Sequence, residues 1–591
     1  MVNRSTRLRL RRRVRSTGQS VKQAQSQAAE HLDKHVVRRW QKFSDVRRFV
    51  FGWLVLIGLL LFGLYLQTLS LGQFYKETVR ADGGIYAEGV VGNVKNMNPI
   101  FAASPPDRTL AKLLFEPLMK YNADAELTGA LARDWSVNDD LTAYTLTLRD
   151  GLVWSDGQPL TSADVVFTFE AIQHQDTGSP LQRSWRDIEV TAADEKTVVF
   201  SLPNSFTPFL HSLTHVGILP AHTLDQIALS ELRADGFNLA PTATSGPFSF
   251  ASLVTQDDQA EVRLRRNNIY HAGPARLDEF IVQSFADQEE LIAALNDGAV
   301  MGASGLRTQD LDQLKDPDSR YQIHNPPLFN NVMLFFNNSD APFNDKNVRL
   351  GLVRGTDTRA IFEMLDRRYP LSDAPILNGQ LGYSQRFAQF DFNPAAAAEV
   401  LDKAGWKAGE DGLRRKGGRV MELSLIAQNS DEYPIVAEEI QRQWLELGVM
   451  AKLELVSPEQ LQPDYIAPHA YSLLLIGIDL GVDPDPFVYW HSSEARIGGF
   501  NLSEYKNDFV DAALEAGRTR PDSNLRRAKY QSFLRQWRAD APGLALYRPT
   551  FFYAQLAVVD GPKNSYLADP IDRFADVQQW TILTHEVDRQ L

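Results

Sequence analysis

LARDWSVNDDLTAYTLTLRDGLVWSDGQPLTSADVVFTFE, residues 131–170, is the stretch from which the rest of the chain can be read. Tyr144, Leu146 and Leu148 alternate with Thr145, Thr147 and Arg149, the period of two expected of a strand with one buried face. Asp150-Gly151 and then Asp156-Gly157 turn the chain. Thr161 followed by Asp164 supplies a helix start, in which hydroxyl and carboxylate take up backbone N–H groups that the first turn leaves without partners. Val165, Phe169 and Ile172 form the stripe this helix should bury.

Outward from that stretch, 591 residues are too many for one core and point to about three or four structural units. The net charge of −13 hides an asymmetry: residues 1–48 carry 14 Lys or Arg against Glu30, Asp33 and Asp45, so the remainder is distinctly acidic. Residues 49–75 hold no charge, and FVFGWLVLIGLLLFGLYL at 49–66 is a nearly unbroken apolar run. At roughly 1.5 Å per helical residue it reaches across most of a ~30 Å hydrocarbon core. The basic residues before it place 1–48 in the cytoplasm and everything after about residue 72 outside, with residues 49–72 as a single-pass anchor. A cleavable signal peptide would have a much shorter basic region and a small-x-small cleavage site after the apolar run. The absence of cysteine removes both a lipid-carrying thiol and disulfides. The arm RLRLRRRVR at 7–15 reads as a membrane-proximal segment attracted to anionic lipid; no aromatic platform or folded module accompanies it, so nucleic acid is not an expected partner.

In the outer part, residues 83–89 read as a first strand entered through a flexible glycine joint, and Leu110, Leu113 and Leu114 as a helix after the loop from Asn98-Pro99 to Pro105-Pro106. Residues 331–337 (NVMLFFN) are a buried strand. Asn393 caps a helix with Pro394 at its first position, and Gly405 ends it. Residues 438–447 form an amphipathic helix with Ile440, Trp444 and Leu447 on one face, released by Gly448 into a strand alternating Val449, Ala451, Leu453 and Leu455. This rhythm suits a mixed, largely parallel sheet. EDGLRRKGGR at 410–419 is a surface hairpin, His585-Glu586 a solvated tail pair, and no internal repeat is evident.

The Trp154-Ser155-Asp156-Gly157 turn leading into Thr161-Ser162-Ala163-Asp164-Val165 resembles the signature of the family 5 extracellular solute-binding proteins, the oligopeptide- and dipeptide-binding class that serves ABC importers. Further matches follow in order: Leu219-Pro220-Ala221-His222, Ser245-Gly246-Pro247-Phe248, Arg266-Asn267-Asn268-Ile269-Tyr270, and Pro342-Phe343-Asn344-Asp345 running to Val348-Arg349. The resemblance covers about residues 83–560. It implies an α/β, periplasmic-binding-protein-like type II fold, with two lobes and an additional domain preceded by one transmembrane helix. Lobe I would comprise residues 80–122 and 217–325, the extra domain 123–216, lobe II 326–547, and a return to lobe I with a tail 548–591. Hinges would lie near Pro326 and Arg548-Pro549, and closure would deliver a captured peptide or other small solute to permease subunits.

Residues 471–476 (YSLLLI) read as a strand buried on both faces that runs into GIDLGVDPDP, and ligands of open α/β sheets gather at the carboxyl ends of such strands. The resemblance implies an acid here that pairs with a ligand ammonium, and Asp479 is the first choice, with Asp483 and Asp485 following; an ungapped match from the Asp-Pro-Asp-Pro end would instead put Val482 there. Those acids otherwise cap turns. Trp490 and His491 stand either at a cleft wall or in the lobe core. Asn98, Ser104 and Pro105 are carried over from the first-lobe loop, and Leu181 occupies the place where peptide-binding relatives have a cleft-facing tyrosine after Ser-Pro. No thiol, zinc-binding His-Glu-x-x-His, Gly-x-Ser-x-Gly elbow or phosphate loop points to catalysis, and no cofactor is expected. The alternatives are an anchored sensing receptor on the same fold, or a binder of a non-peptide solute such as a metal chelate.

Overall fold

The computed structural model describes residues 46–74, 76–256 and 259–588, together with Ser26; the basic arm at 7–15, and nearly all of 1–48, lie outside the described residues. Residues 1–79 with 584–591 form one unit and residues 80–583 another. In the first, the helix Arg47–Phe74 runs two residues beyond the expected anchor at each end. Its stretch Phe49–Gln67 is long and apolar enough to cross a membrane, and Phe49, Leu59 and Leu64 are 62–70% exposed. The strand Lys76–Ala81 follows at once and pairs with Leu583–Asp588, which places His585 and Glu586 in a strand.

The second unit is built on two sheets. The seven-stranded sheet has the spatial order Tyr321–His324, Phe552–Leu556, Gly302–Leu306, Ile85–Val91, Glu279–Phe285, Gln259–Arg266, Phe248–Gln256. Its centre is parallel, with Ile85–Val91 between Gly302–Leu306 and Glu279–Phe285, and its flanks are antiparallel. The glycine joint before Ile85 is pinned: the Gly83 N–H donates to Arg276 O and the Gly84 N–H to Asp278 Oδ2 at 2.9 Å. Glycine is needed there for φ values of 109° and 90°, not for flexibility.

The five-stranded sheet runs Met450–Val456, Glu422–Gln428, Leu473–Asp479, Asn330–Phe336, Gly543–Tyr547. Its first three strands pair in parallel, and Asn330–Phe336 pairs antiparallel with Leu473–Asp479 on one side and Gly543–Tyr547 on the other, so four of the five strands share one direction and the sheet is mixed, as expected. Asn330–Phe336 and Gly543–Tyr547 adjoin the points where the chain crosses between the sheets, so they do not arise from helix crossovers. Asn331 to Phe336 are buried throughout, as a central strand requires. The helix expected at 438–447 begins earlier, at Tyr433, with Pro434 in its first turn. Leu455 departs from the expected alternation: it is 37% exposed on the edge strand Met450–Val456, where Lys452 and Glu454 also face water while Val456 is buried.

The crossovers pair with each other. Pro327 bridges Thr550, the Leu328 N–H donates to Pro549 O, the Phe551 N–H donates to Pro326 O, and the Arg548 guanidinium donates twice to Leu328 O at 3.2 and 3.0 Å. A separate four-stranded sheet, Ala132–Val137, Ala143–Leu148, Thr197–Ser201, Glu189–Asp194, carries the segment that decided the reading of the sequence. Tyr144, Leu146 and Leu148 face its core, and Thr161 and Asp164 form a reciprocal cap on the helix Ser162–Gln173, whose Val165, Phe169 and Ile172 are completely buried.

Candidate functional site

The strand Leu473–Asp479 lies at the middle of its sheet and delivers Asp479 at its carboxyl end, opposite Asn330. The backbone then turns sharply, with Gly481 at φ 64°. Asp479 Oδ1 accepts the Gly481 N–H at 2.8 Å, the Tyr489 hydroxyl donates to Asp479 O at 2.7 Å, and Gln380 Nε2 donates to Gly481 O at 2.6 Å. Asp479 Oδ2 has no hydrogen-bond partner among the described residues. The residue is exposed, yet protein crowds its carboxyl from several directions, as beside a narrow gap. That desolvation, with the charge of Asp569, raises its pKa; the Gly481 N–H, His215 and Arg108 pull the other way. His215, Arg108 and Asp569 come from the other sheet's side of the molecule, so Asp479 looks across at a charged wall.

That wall is built on the helix Pro105–Leu114. Ser104 caps it, accepting the Asp107 N–H at 3.2 Å, and Pro105 stands exposed at its start, where a missing N–H costs nothing. Arg108 pairs with Asp569, and His215 Nε2 lies 3.2 Å from both carboxylate oxygens of Asp572. Burial alone would lower the His215 pKa, but the charge and hydrogen bond of Asp572, with Asp569 beyond, raise it. Asp572 is correspondingly lowered against its own burial. Arg108, Lys112, Thr214 and His215 enclose a cavity of about 40 Å³. Burial lowers the His211 pKa, and the Tyr121 hydroxyl lies 2.8 Å from His211 Nδ1.

The other residues singled out from sequence occupy different environments. Asp483 is held by Arg526 through two hydrogen bonds of 2.8 and 2.7 Å, and Asp485 by Arg518 at 3.1 and 2.5 Å, which fixes the acidic loop on two helices. Trp490 is wholly buried, stacked on Phe335 and edge-on to Trp537, so it packs in the lobe core. His491 stacks on Phe487 at 4.0 Å; its Nδ1 accepts the Ser493 N–H at 3.1 Å and lies 2.8 Å from Ser493 Oγ. Asn98 is completely buried and donates to Asn238 Oδ1 at 3.0 Å, holding the first-lobe loop in shape. Leu181 packs half-buried against the core, while Ser179 donates to Ile100 O at 2.7 Å. The gap thus brings Asp479 together with Arg108, His215 and Asp569, none of which was singled out. The one available signal was the spacing of Arg108 and Lys112, which puts two cations on the same side of a helix whose other side is apolar.

The motifs that made the chain legible converge elsewhere. Asp164 accepts from the Thr161 N–H at 2.8 Å and the Ala221 N–H at 2.9 Å, Asp156 pairs with His222 at 2.9 Å, and the Ser155 N–H donates to Thr244 O. Asn267 donates to Gly246 O at 2.9 Å, and the Gly246 N–H donates to Leu114 O. In the other lobe, Arg349 donates to Phe343 O and, at 2.8 Å, to Asp540 O at the end of the helix Ser523–Asp540.

Comparison with known proteins agrees with this architecture. Residues 126–499 match the model of the bacterial extracellular solute-binding proteins, family 5, middle region. The probable D,D-dipeptide-binding periplasmic protein of Escherichia coli K12 is 26% identical over 80% of this chain and 90% of its own length. The oligopeptide-binding protein AppA of Bacillus subtilis, solved with a nonapeptide, superposes with a TM-score of 0.67 at 22% identity, covering 85% of this chain and all of AppA. NikZ of Campylobacter jejuni, solved with Ni(L-His), gives 0.69 at 23% identity over 84% and 99%. With its two sheets, paired crossovers and added four-stranded sheet, this α/β chain has the type II periplasmic-binding-protein fold and belongs to the bacterial extracellular solute-binding proteins of family 5.

Proposed function

We propose that the chain is the membrane-anchored, extracytoplasmic solute-binding component of an ABC importer, which captures peptides by lobe closure and delivers them to permease subunits. The observation that carries this reading is Asp479, an acid at the carboxyl end of a central strand, facing the opposite wall with one carboxylate oxygen unengaged. Such a group suits the ammonium end of a peptide, since an ionic hydrogen bond in a confined gap is about twice as strong as a neutral one. Asp483 and Asp485 hold the loop that presents it; Trp490 and His491 pack beneath, and Asn98, Ser104 and Pro105 shape the first-lobe edge. The names of the E. coli dipeptide-binding relative and of AppA support a peptide ligand. The helix Arg47–Phe74, with its uncharged apolar stretch, supports the anchor, and residues 1–48 are then cytoplasmic. Closure is a ligand-driven shift between two lobe arrangements, and the solute is bound without being converted.

The test is calorimetry on the full chain in detergent micelles with trialanine and N-acetyl-trialanine. The wild type should bind the free-amine peptide on the order of tenfold or more tightly than the acetylated one, and Asp479→Asn should abolish that preference. An equal loss for both peptides in Asp479→Asn would remove Asp479 from the amine-binding role.

A further inference from the structure

Strand Gly302–Leu306 of the seven-stranded sheet runs into Arg307 and Thr308, and Tyr369, Glu432 and Tyr433 stand opposite on the side of the five-stranded sheet. Together with the crossover residues Leu328 and Pro549 they enclose a cavity of about 510 Å³. Small-molecule sites occupy about 300–1,000 Å³. Its charge is one-sided: Asp312, Asp366, Asp431 and Glu432 line it against Arg307 alone. Arg307 is already held by both oxygens of Asp310 at 2.9 Å, and Asp312 lies 3.6 Å from Arg368, whereas Asp366, Asp431 and Glu432 have no ion pair among the described residues. Glu432 directly precedes the helix Tyr433–Glu446 but its side chain caps nothing there. The Tyr547 hydroxyl donates to Glu432 Oε1 at 2.7 Å, and Oε2 accepts from no described residue. Burial, with the charge of Asp431, raises the Glu432 pKa against that hydrogen bond, as expected of a crowded carboxyl with no cation beside it.

The cavity adjoins Asp479. Gly477 and Asp479 share one face of their strand, roughly 7 Å apart. Tyr433 reaches from the cavity wall to that face, since a Cβ on Gly477 would meet its hydroxyl at 3.0 Å. The Leu480 N–H donates to Phe329 O, next to Leu328 in the cavity lining. Apolar walls around an acid fit a side chain with an aliphatic stem and a charged head.

We propose that this cavity is the pocket for a basic side chain, lysine or arginine, of the peptide whose ammonium Asp479 holds, with Glu432 as the partner of its cation and Tyr433 and Phe551 against its stem. The proposal rests on the peptide-binding reading and deepens it: the preferred solute carries a second cation beyond its amino terminus. The distinctly acidic balance of residues 49–591 favours encounter with such a solute.

Two arms on the full chain in detergent micelles test it. In the first, calorimetry compares Ala-Lys-Ala and Ala-Ala-Lys with the same peptides carrying norleucine, which keeps the stem and lacks the ammonium. At least one lysine peptide should bind the wild type on the order of tenfold or more tightly than its norleucine partner. In Glu432→Gln, whose amide oxygen still accepts from Tyr547, that ratio should fall below about twofold. A wild type that favours neither lysine peptide, or an unchanged ratio in Glu432→Gln, overturns the pocket. Trialanine is the reference: if it binds and lysine adds nothing, the peptide reading stands and the pocket falls. The second arm needs no peptide. Thermal unfolding is followed in n-butylammonium chloride against sodium chloride at equal ionic strength, and butylammonium should leave the wild-type midpoint higher, relative to sodium chloride, than that of Glu432→Gln. Equal shifts in the two proteins overturn the pocket. Should no peptide bind, the peptide reading falls, and this arm alone decides whether the cavity takes an alkylammonium group.

Discussion

Asp164 has both carboxylate oxygens committed, one capping its own helix and one holding the Ala221 N–H, so a single acid joins the added sheet to the returning lobe I segment. Asp164→Ala should cost about 2–4 kcal/mol in denaturant unfolding, from a lost cap and a stranded buried donor, and Asp164→Asn less, since an amide oxygen can still accept. Gly246 is equally constrained: a Cβ there would meet Leu113 O at 2.5 Å, a backbone atom that cannot step aside. Gly246→Ala should cost about 1–3 kcal/mol. His215 sets a pH dependence. Its folded pKa lies above the ordinary 6.5, because Asp572 and Asp569 outweigh burial and Lys112. Its contribution to stability is therefore complete below pH 6.5 and lost as pH rises through the raised folded value. Asp572, lowered from 3.8, contributes above that value and loses its contribution as pH falls through its folded pKa. Unfolding midpoints measured from pH 6 upward should decline in the wild type, and His215→Asn should flatten that decline; an unchanged slope would mean that the pair does not set it.

At the scale of elements, the acidic loop after Leu473–Asp479 owes its shape to the helices Asp508–Arg518 and Ser523–Asp540, which supply Arg518 and Arg526. Arg526 is 5% exposed, so Arg526→Ala would leave Asp483 unpaired at a mostly buried position and should cost about 3–5 kcal/mol. Arg526→Gln combined with Asp483→Asn should cost clearly less than the sum of the single changes, a coupling that a double-mutant cycle on unfolding reads directly. Local signals of this kind were legible in the sequence. The caps at Asn393 and Thr161, the glycine stops and the buried stripe of Ser162–Gln173 each depend on a few neighbouring residues. What escaped the sequence depends on distant partners. The pairing of Lys76–Ala81 with Leu583–Asp588 joins segments far apart in the sequence, and the position of Met450–Val456 at a sheet edge is set by its neighbours in space. The wall of Arg108, Lys112 and His215 is assembled from segments that no local pattern connects. The recognisable motifs Asp156, Asp164, Gly246 and Arg349 turn out to be structural joints, so they identified the fold and left the residues facing the gap unmarked.

Across residues 80–583, the chain crosses between the two sheets at the paired segments Pro326–Leu328 and Arg548–Phe551, and the closure proposed above would bend the molecule there. Other contacts tie the same halves together: the Tyr369 hydroxyl lies 2.8 Å from Thr308 Oγ1, and Thr207 Oγ1 donates to Arg518 O at 2.9 Å. Adding a bound peptide should favour the closed arrangement, so the radius of gyration from solution X-ray scattering should fall on saturation with trialanine; no change at saturating occupancy would argue against closure. The most direct measurement is native mass spectrometry of the full chain released from detergent micelles, before and after denaturation and refolding. A ladder of co-purified peptide masses that disappears on refolding is the expected result. A single non-peptide adduct in its place, or a chain that stays empty even when short peptides are supplied, would contradict peptide capture.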